Sequence, residues 1–179
     1  GDSTYTIYNQ ANEAVYTITP AGAQGSNQGV LTQNIYDADG RVVSVRVYST
    51  LVGTSSLGTL ASSSTQASLA SGTALATGAA STTDAISYSV YDADGNLRYS
   101  IDPLGDVSET RYNALGQVAA TLDYATPVDT SPLVTILQAG TIQVSDIQQA
   151  LSTAGDTDAT ARVTYAYYDA DGRVAFTAT

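Results

Sequence analysis

The 179-residue sequence contains no cysteine, histidine, methionine or tryptophan, and only one phenylalanine. Without Cys or His there is no thiol nucleophile, no imidazole base and no zinc or haem site of the usual ligand types. Chemistry is left to carboxylates, hydroxyls and tyrosine, which means hard-cation binding or an acid pair. The absence of Cys carries no disulfide evidence and so does not fix the compartment. Lysine is missing too: all six basic residues are arginines, Arg41, Arg46, Arg98, Arg111, Arg162 and Arg173, against seventeen acids and a net charge of −11. Such a balance repels a phosphate backbone or an anionic membrane surface, so nucleic acid is not an expected partner. No apolar run approaches the ~18–20 residues of a spanning helix, and membrane insertion is not expected. The opening "GDSTYTIYNQ" lacks the charged and apolar regions of a signal peptide. A start without Met, in mid-pattern, reads as a piece of a longer polypeptide.

What is abundant is tyrosine, thirteen residues, and repetition. The pentapeptide YDADG occurs at Tyr36 to Gly40, Tyr91 to Gly95 and Tyr168 to Gly172. It belongs to a larger repeat: "TYTIYNQANEAVYTITPAG" from Thr4 lies without gaps over "SYSVYDADGNLRYSIDPLG" from Ser87, and "TYAYYDADGRVAFTAT" from Thr164 begins the pattern again. A second segment, "GVLTQNIYDADGRVVSVRVY" from Gly29, lies over "GDVSETRYNALGQVAATLDY" from Gly105. Each unit therefore holds two related hairpin modules and a spacer. Unit 1 covers 1–87, with modules at about 4–48 and a spacer at about 49–87; unit 2 covers 88–164, with modules at about 88–124 and a spacer at about 125–164; unit 3 starts at 165–179. Within unit 1 seven extra residues in "AQGSNQG" separate the modules.

After the turn, Leu97, Tyr99 and Ile101 alternate with Asn96, Arg98 and Ser100, and Val118, Ala120, Leu122 and Tyr124 alternate with Ala119, Thr121 and Asp123. Period two is the mark of a half-buried strand. Asp-Ala-Asp-Gly between two such strands suits a hairpin turn whose Asp bonds backbone amides ahead of it and whose last residue takes positive φ. Two departures support geometry over chemistry: "YNALG" loses the second Asp, and "YNQAN" places Asn12 where Gly stood. Asn is the best non-Gly residue at positive φ. The structural turn residues are thus Tyr36, Gly40, Tyr91, Gly95, Tyr112, Gly116, Tyr168 and Gly172, and the four glycines are expected at positive φ. The spacers share Ser63-x-x-Gln66-x-x-Leu69 closed by Gly72 and Ser145-x-x-Gln148-x-x-Leu151 closed by Gly155, a capping box and a helix stop. Another helix is expected with Ser131 as N-cap, Pro132 at the first helical position and Gly140 at its end. The helices are expected to lay Leu69 and Leu151 on the hairpin faces carrying Val15, Tyr16 and Ile18 or Leu97, Tyr99 and Ile101.

Three site chemistries compete with the turn. Asp-x-Asp-Gly is shared by calcium loops, making Asp37, Asp39, Asp92, Asp94, Asp169 and Asp171 candidate ligands; two carboxylates per turn are too few unless a neighbouring repeat adds oxygens. An acid pair such as Asp37 with Asp39 would need environments that separate the two pKa values, which a thrice-copied turn does not offer. The tyrosines could stack on a sugar; their recurrence at fixed hairpin positions favours cross-strand packing with the hydroxyl in water. Asp102-Pro103, a dipeptide found at autoprocessing sites, has the counterpart Thr19-Pro20 and reads as a turn.

The stretch "YDADGNLRYSIDPLGDVSETRYNALGQVAATLDY", through Tyr91, Asp92, Gly95, Asp102, Pro103, Gly105, Tyr112, Asn113 and Gly116, resembles the RHS or YD-repeat family of large bacterial surface and toxin proteins, also found in animal teneurins. The resemblance covers 88–124 well and 5–48 and 165–179 more loosely. It implies a mainly β fold of repetitive antiparallel hairpins joined into a spiralling or elongated sheet, here with short helices in the spacers. It further implies a non-catalytic structural segment of a secreted or surface-displayed bacterial protein, walling a shell around a cargo domain; the long spacers that interrupt the hairpins here, for example Ser49 to Ile86, depart from the family's close tandem repetition and point to an open filament or stalk instead. The expected partners are neighbouring repeats or, because exposed sheet edges favour association, end-to-end copies, with a cargo domain or surface glycan as further candidates; no cofactor is expected. The rival functions are a calcium-stiffened or glycan-binding adhesin repeat and an acid-pair hydrolase.

Overall fold

The computed structural model describes residues 3–21, 27–55 and 65–179, where the protein is mainly β, with eleven strands and three helices. It divides into two units, Gly1–Ile86 and Ser87–Thr179. The first carries β1 (Tyr5–Tyr8), β2 (Ala14–Ala21), β3 (Gln28–Tyr36), β4 (Val42–Val47), the short β5 (Val52–Gly53) and α1 (Thr65–Ala79). The second carries β6 (Ala85–Tyr91, whose first two residues precede the division), β7 (Leu97–Ile101), β8 (Val107–Tyr112), β9 (Val118–Asp123), α2 (Ser131–Ala139), α3 (Val144–Ala154), β10 (Arg162–Tyr168) and β11 (Val174–Ala178). In the first unit β1 to β4 follow one another as antiparallel neighbours, with β5 on the far end of β3. In the second, β6 to β9 do the same, and the chain returns from its spacer to the edge of β9, where β10 and β11 resume the series.

The hairpins share one design. β1/β2, β6/β7 and β10/β11 pair in the same register with the same bulge: Ile7 faces Tyr16, Val90 faces Tyr99, and Tyr167 faces Phe176. At the turns starting at Asn9, Asp37, Asp92, Asp102, Asn113 and Asp169, the amide three residues on donates to the first residue's carbonyl at 2.9–3.1 Å. That third residue stands at positive φ in every case: Asn12 (64°), Gly40 (76°), Gly95 (83°), Gly105 (91°), Gly116 (76°) and Gly172 (77°). The expected conformation of the four repeat glycines is observed, and Asp102-Pro103-Leu104-Gly105 proves to be a sixth turn of the kind. The "AQGSNQG" insertion falls partly outside the described residues; its effect is visible in β2 and β3, which pair as far as Ala21 with Gln28.

The spacers place helices against the hairpins. In the first unit Leu69 and Leu75 of α1 pack on a core of Ile7, Tyr16, Ile18, Leu31, Tyr48 and Val52. In the second, Ile147 and Leu151 of α3 are buried, 0 % and 4 % exposed, with α3 against β7. Three helix boundaries differ from expectation. Gly72 does not end α1, which runs on to Ala79; a Cβ at Gly72 would lie 2.6 Å from the Tyr16 ring and 3.0 Å from Ile7 Cδ1, so the glycine permits close approach within the helix. The capping Ser63 expected for α1 lies outside the described residues. The N-cap of α3 is Gln143, two residues before Ser145, because the Asp146 carboxylate accepts the Gln143 amide at 2.8 Å and its negative charge suits a helix N-terminus. The N-cap of α2 is Thr130, so Ser131 and Pro132 stand inside the first turn. Gly155 and Gly140 do end α3 and α2, and Gly155 is left-handed at φ 77°.

Candidate functional site

The turn carboxylates are consumed by backbone bonds. Asp37 Oδ1 accepts the amides of Asp39 and Arg41 at 3.0 and 2.9 Å, and Asp92 Oδ1 those of Asp94 and Asn96 at 3.0 and 2.8 Å. Asp169 Oδ1 does the same with Asp171 and Arg173 at 3.0 and 2.8 Å. Asn113, with no charge, makes the same pair with Leu115 and Gln117 at 2.9 and 3.0 Å. Burial pushes the Asp37 carboxyl up, but the Arg41 amide and guanidinium and the Asp39 amide outweigh it and hold the group below its ordinary value. The second acids pair with arginine where one is near: Asp39 with Arg41 at 3.0 Å and Asp171 with Arg173 at 3.1 Å. Among the described residues, no three acids converge in a way that could hold a metal ion.

The turn tyrosines were expected to reach water, and three of them do otherwise. Tyr36 donates to the Ala14 carbonyl at 3.0 Å, Tyr112 to that of Leu97 at 3.0 Å, and Tyr168 to that of Val118 at 2.8 Å. In each case the acceptor is the first residue of the return strand of the preceding hairpin. The phenol is thus a bolt between consecutive hairpins: at the end of its strand, the ring is long enough to span one strand spacing and meet a carbonyl at the neighbouring turn.

A cluster of charges lies in the second unit, around Glu109 on β8, which is 1 % exposed. Arg98 on β7 pairs with its Oε1. Arg111 is bidentate, Nε to Oε1 and Nη2 to Oε2 at 2.9 Å each, and Tyr124 donates to Oε2 at 2.6 Å. Arg111 also holds Asp158, at 2.7 Å through both terminal nitrogens. Burial opposes ionisation of Glu109, but hydrogen bonds from Arg111 and Tyr124 and the charges of Arg98 and Arg111 prevail and keep its pKa low. Burial, with the Glu109 carboxylate beside it, pushes the Tyr124 phenol up. Glu109 is therefore a fixed anion and Tyr124 a fixed donor, the reverse of a proton-transfer pair tuned to neutral pH. Beside them opens a cleft of about 610 Å³ lined by Arg111, Tyr124, Gln148, Ser152 and Asp158.

Each spacer is also closed by a buried aspartate. Asp84 accepts the amides of Ser49 and Ser81 at 2.9 and 3.0 Å and pairs with Arg46 at 2.6 Å. Burial raises its pKa, but these donors bring it down to about 2. Asp156, 3 % exposed, accepts the Thr126 amide at 2.7 Å and bonds the Thr160 hydroxyl, which with the Thr126 and Thr157 amides lowers its pKa. The start of each spacer is thereby tied to its end. None of Glu109, Asp84 or Asp156 was singled out from sequence; Glu109 at an inward position of an alternating strand, with arginines two residues after it and on the adjacent strand, is the signal that could have found the first.

No protein-family model matches the chain, and no curated protein matches it.

Proposed function

We propose that this chain is a non-catalytic structural segment, of the YD-repeat kind it resembles, from a large secreted or surface-displayed bacterial protein. Its work is to extend a filament or stalk, or to wall an enclosing shell, with neighbouring repeats as its partners. One observation carries this reading: at turn after turn the motif's Asp or Asn oxygen bonds two backbone amides, and the motif tyrosine of three hairpins bonds the hairpin before it. Residues spent on the same internal bonds in successive modules serve the architecture. The buried acids support it as well, since each is ionised and held by donors that leave no proton to transfer at neutral pH.

A second reading, a glycan-binding repeat, is favoured by the cleft beside Arg111, where the exposed Gln148 and Asp158 are available to sugar hydroxyls. A glycan panel probed with the intact chain separates the two. The structural reading expects no glycan class above background; saturable binding of one class, lost in Gln148→Ala, would replace it with the glycan reading.

A further inference from the structure

The β10/β11 hairpin repeats a surface that is covered twice elsewhere in the molecule and is exposed here. Tyr167 and Phe176 correspond to Ile7 and Tyr16 in the first hairpin and to Val90 and Tyr99 in β6/β7, in identical register. Ile7 and Tyr16 are each 4 % exposed, Val90 1 % and Tyr99 2 %, whereas Tyr167 is 45 % and Phe176 59 % exposed, flanked by Tyr165 at 48 % and Val174 at 56 %. In the first unit the residues that cover this face belong to α1, whose Gly72 sits against both Ile7 and Tyr16. In the second, α3 lies against β7, with Leu151 and Tyr99 lining the same cleft. The bare strip also continues a buried one: Val163 and Tyr165 stand opposite Leu122 and Ala120 on β9, 1 % and 5 % exposed, and directly opposed residues share a face. The Tyr167 and Phe176 rings stack at 4.3 Å and 15°, a flat aromatic platform.

We infer that this face is the seat of a further amphipathic helix of the spacer type, one that presents aliphatic residues four positions apart, as α3 presents Ile147 and Leu151. The inference deepens the structural-repeat reading and rests on it. Folded copies of this chain do not supply such a helix, because their own Ile147 and Leu151 are already buried. The occupant belongs instead to a spacer of the same design joined to this hairpin through a second hairpin module, which also brings a strand for the edge of β11, paired among the described residues with β10 alone.

The test extends the intact chain beyond Thr179 with a duplicate of residues 103–164, which keeps the 77-residue spacing between Ile101 and Ala178. Tethering removes the weak affinity of an isolated short helix. Phe176 remains the only phenylalanine, so its ring resonances report on this face alone. The expected result is Phe176 ring contacts to the duplicated helix and amide exchange in β11 slowed at least ~10-fold. Leu151→Asp within the duplicate alone should abolish the ring contacts, and Phe176→Asp should return β11 amide exchange in the extended chain toward its rate in the 179-residue chain. Unchanged Phe176 resonances in the extended chain would overturn the inference, as would a concentration-dependent dimer of the 179-residue chain that buries Phe176. Either failure leaves the structural reading standing, since that reading is decided by the glycan panel.

Discussion

The two units build the same hydrogen-bond frame out of different charges. Tyr16, Gln33 and Tyr48 in the first occupy the places of Tyr99, Glu109 and Tyr124 in the second. Tyr48 donates to Gln33 Oε1 at 2.7 Å, just as Tyr124 donates to Glu109. Where the frame is neutral, the positions of Arg98 and Arg111 are filled by Val15 and Ile35. A buried charge therefore comes as a set: a carboxylate out of water needs cationic donors, whereas a glutamine in its place is satisfied by neutral partners such as the Tyr48 hydroxyl. The arginine nearest the neutral frame, Arg46, is directed to Asp84 and stacks over Tyr48 at 4.8 Å. In the second unit the spacer aspartate Asp156 relies on amides and a hydroxyl alone. Cations are thus spent on the sheet face in one unit and on the spacer clasp in the other.

The largest effect expected follows from breaking that set. Arg111→Met leaves Glu109 half-compensated and should cost about 3–5 kcal/mol in denaturant unfolding. The triple variant Arg98→Val, Glu109→Gln, Arg111→Ile copies the first unit's frame and should unfold within about 1 kcal/mol of the wild type. Equal losses in the single and triple variants would show that the two frames are not interchangeable.

A smaller effect sharpens the contrast between the clasps. The folded pKa of Asp84 is lowered from 3.8 to about 2, so its contribution is present in full above pH ~4 and is lost as the pH falls toward ~2. A shift of that size is worth roughly 2 kcal/mol. Asp84→Asn should lower stability by about this amount at pH 7 and flatten the acid limb of the stability profile. A profile in Asp84→Asn parallel to that of the wild type would mean the acid sensitivity resides elsewhere.

Within α1 two glycines should respond with opposite sign. Gly72→Ala drives a methyl into Tyr16 and Ile7 and should destabilise by about 1–3 kcal/mol. Gly78→Ala meets nothing within 4 Å and should stabilise by up to about 1 kcal/mol through helix propensity. If both stabilised, the close seating of α1 on the first hairpin would be wrong.

The hairpins were legible because their signals are local. Alternation, turn residues and the tolerance of Asn at the glycine position each specify backbone geometry within a few residues, and the mainly β fold with helices in its spacers followed. Leu69 and Leu151 were legible as helix anchors, although the cap from which Leu151 was placed, Ser145, lies inside α3, whose N-cap is Gln143. What was missed depends on residues brought together from afar: Asp84 meets Ser49 across 35 positions, and Arg111 meets Asp158 across 47. The same holds for Gly72, whose helix-stopping character was read from local chemistry although the Tyr16 ring, distant in sequence, decides its role. A single hairpin supplies no acceptor for the motif tyrosine hydroxyl; the acceptor belongs to the hairpin before.

The central claim is that the repeated carboxylates are geometric, and one comparison tests it most directly: thermal unfolding of the wild type and of the Asp37→Asn, Asp92→Asn, Asp169→Asn triple variant, each in millimolar calcium and in chelator. Asn113 already performs the same task with no charge, and Asn at position 37 keeps the two backbone bonds while losing the ion pair with Arg41, whose own side chain is 30 % exposed. The account predicts melting temperatures within about 4 °C of each other and no response of either protein to calcium or chelator. A calcium-dependent rise in the wild type that the triple variant abolishes would contradict it and make the turns metal sites.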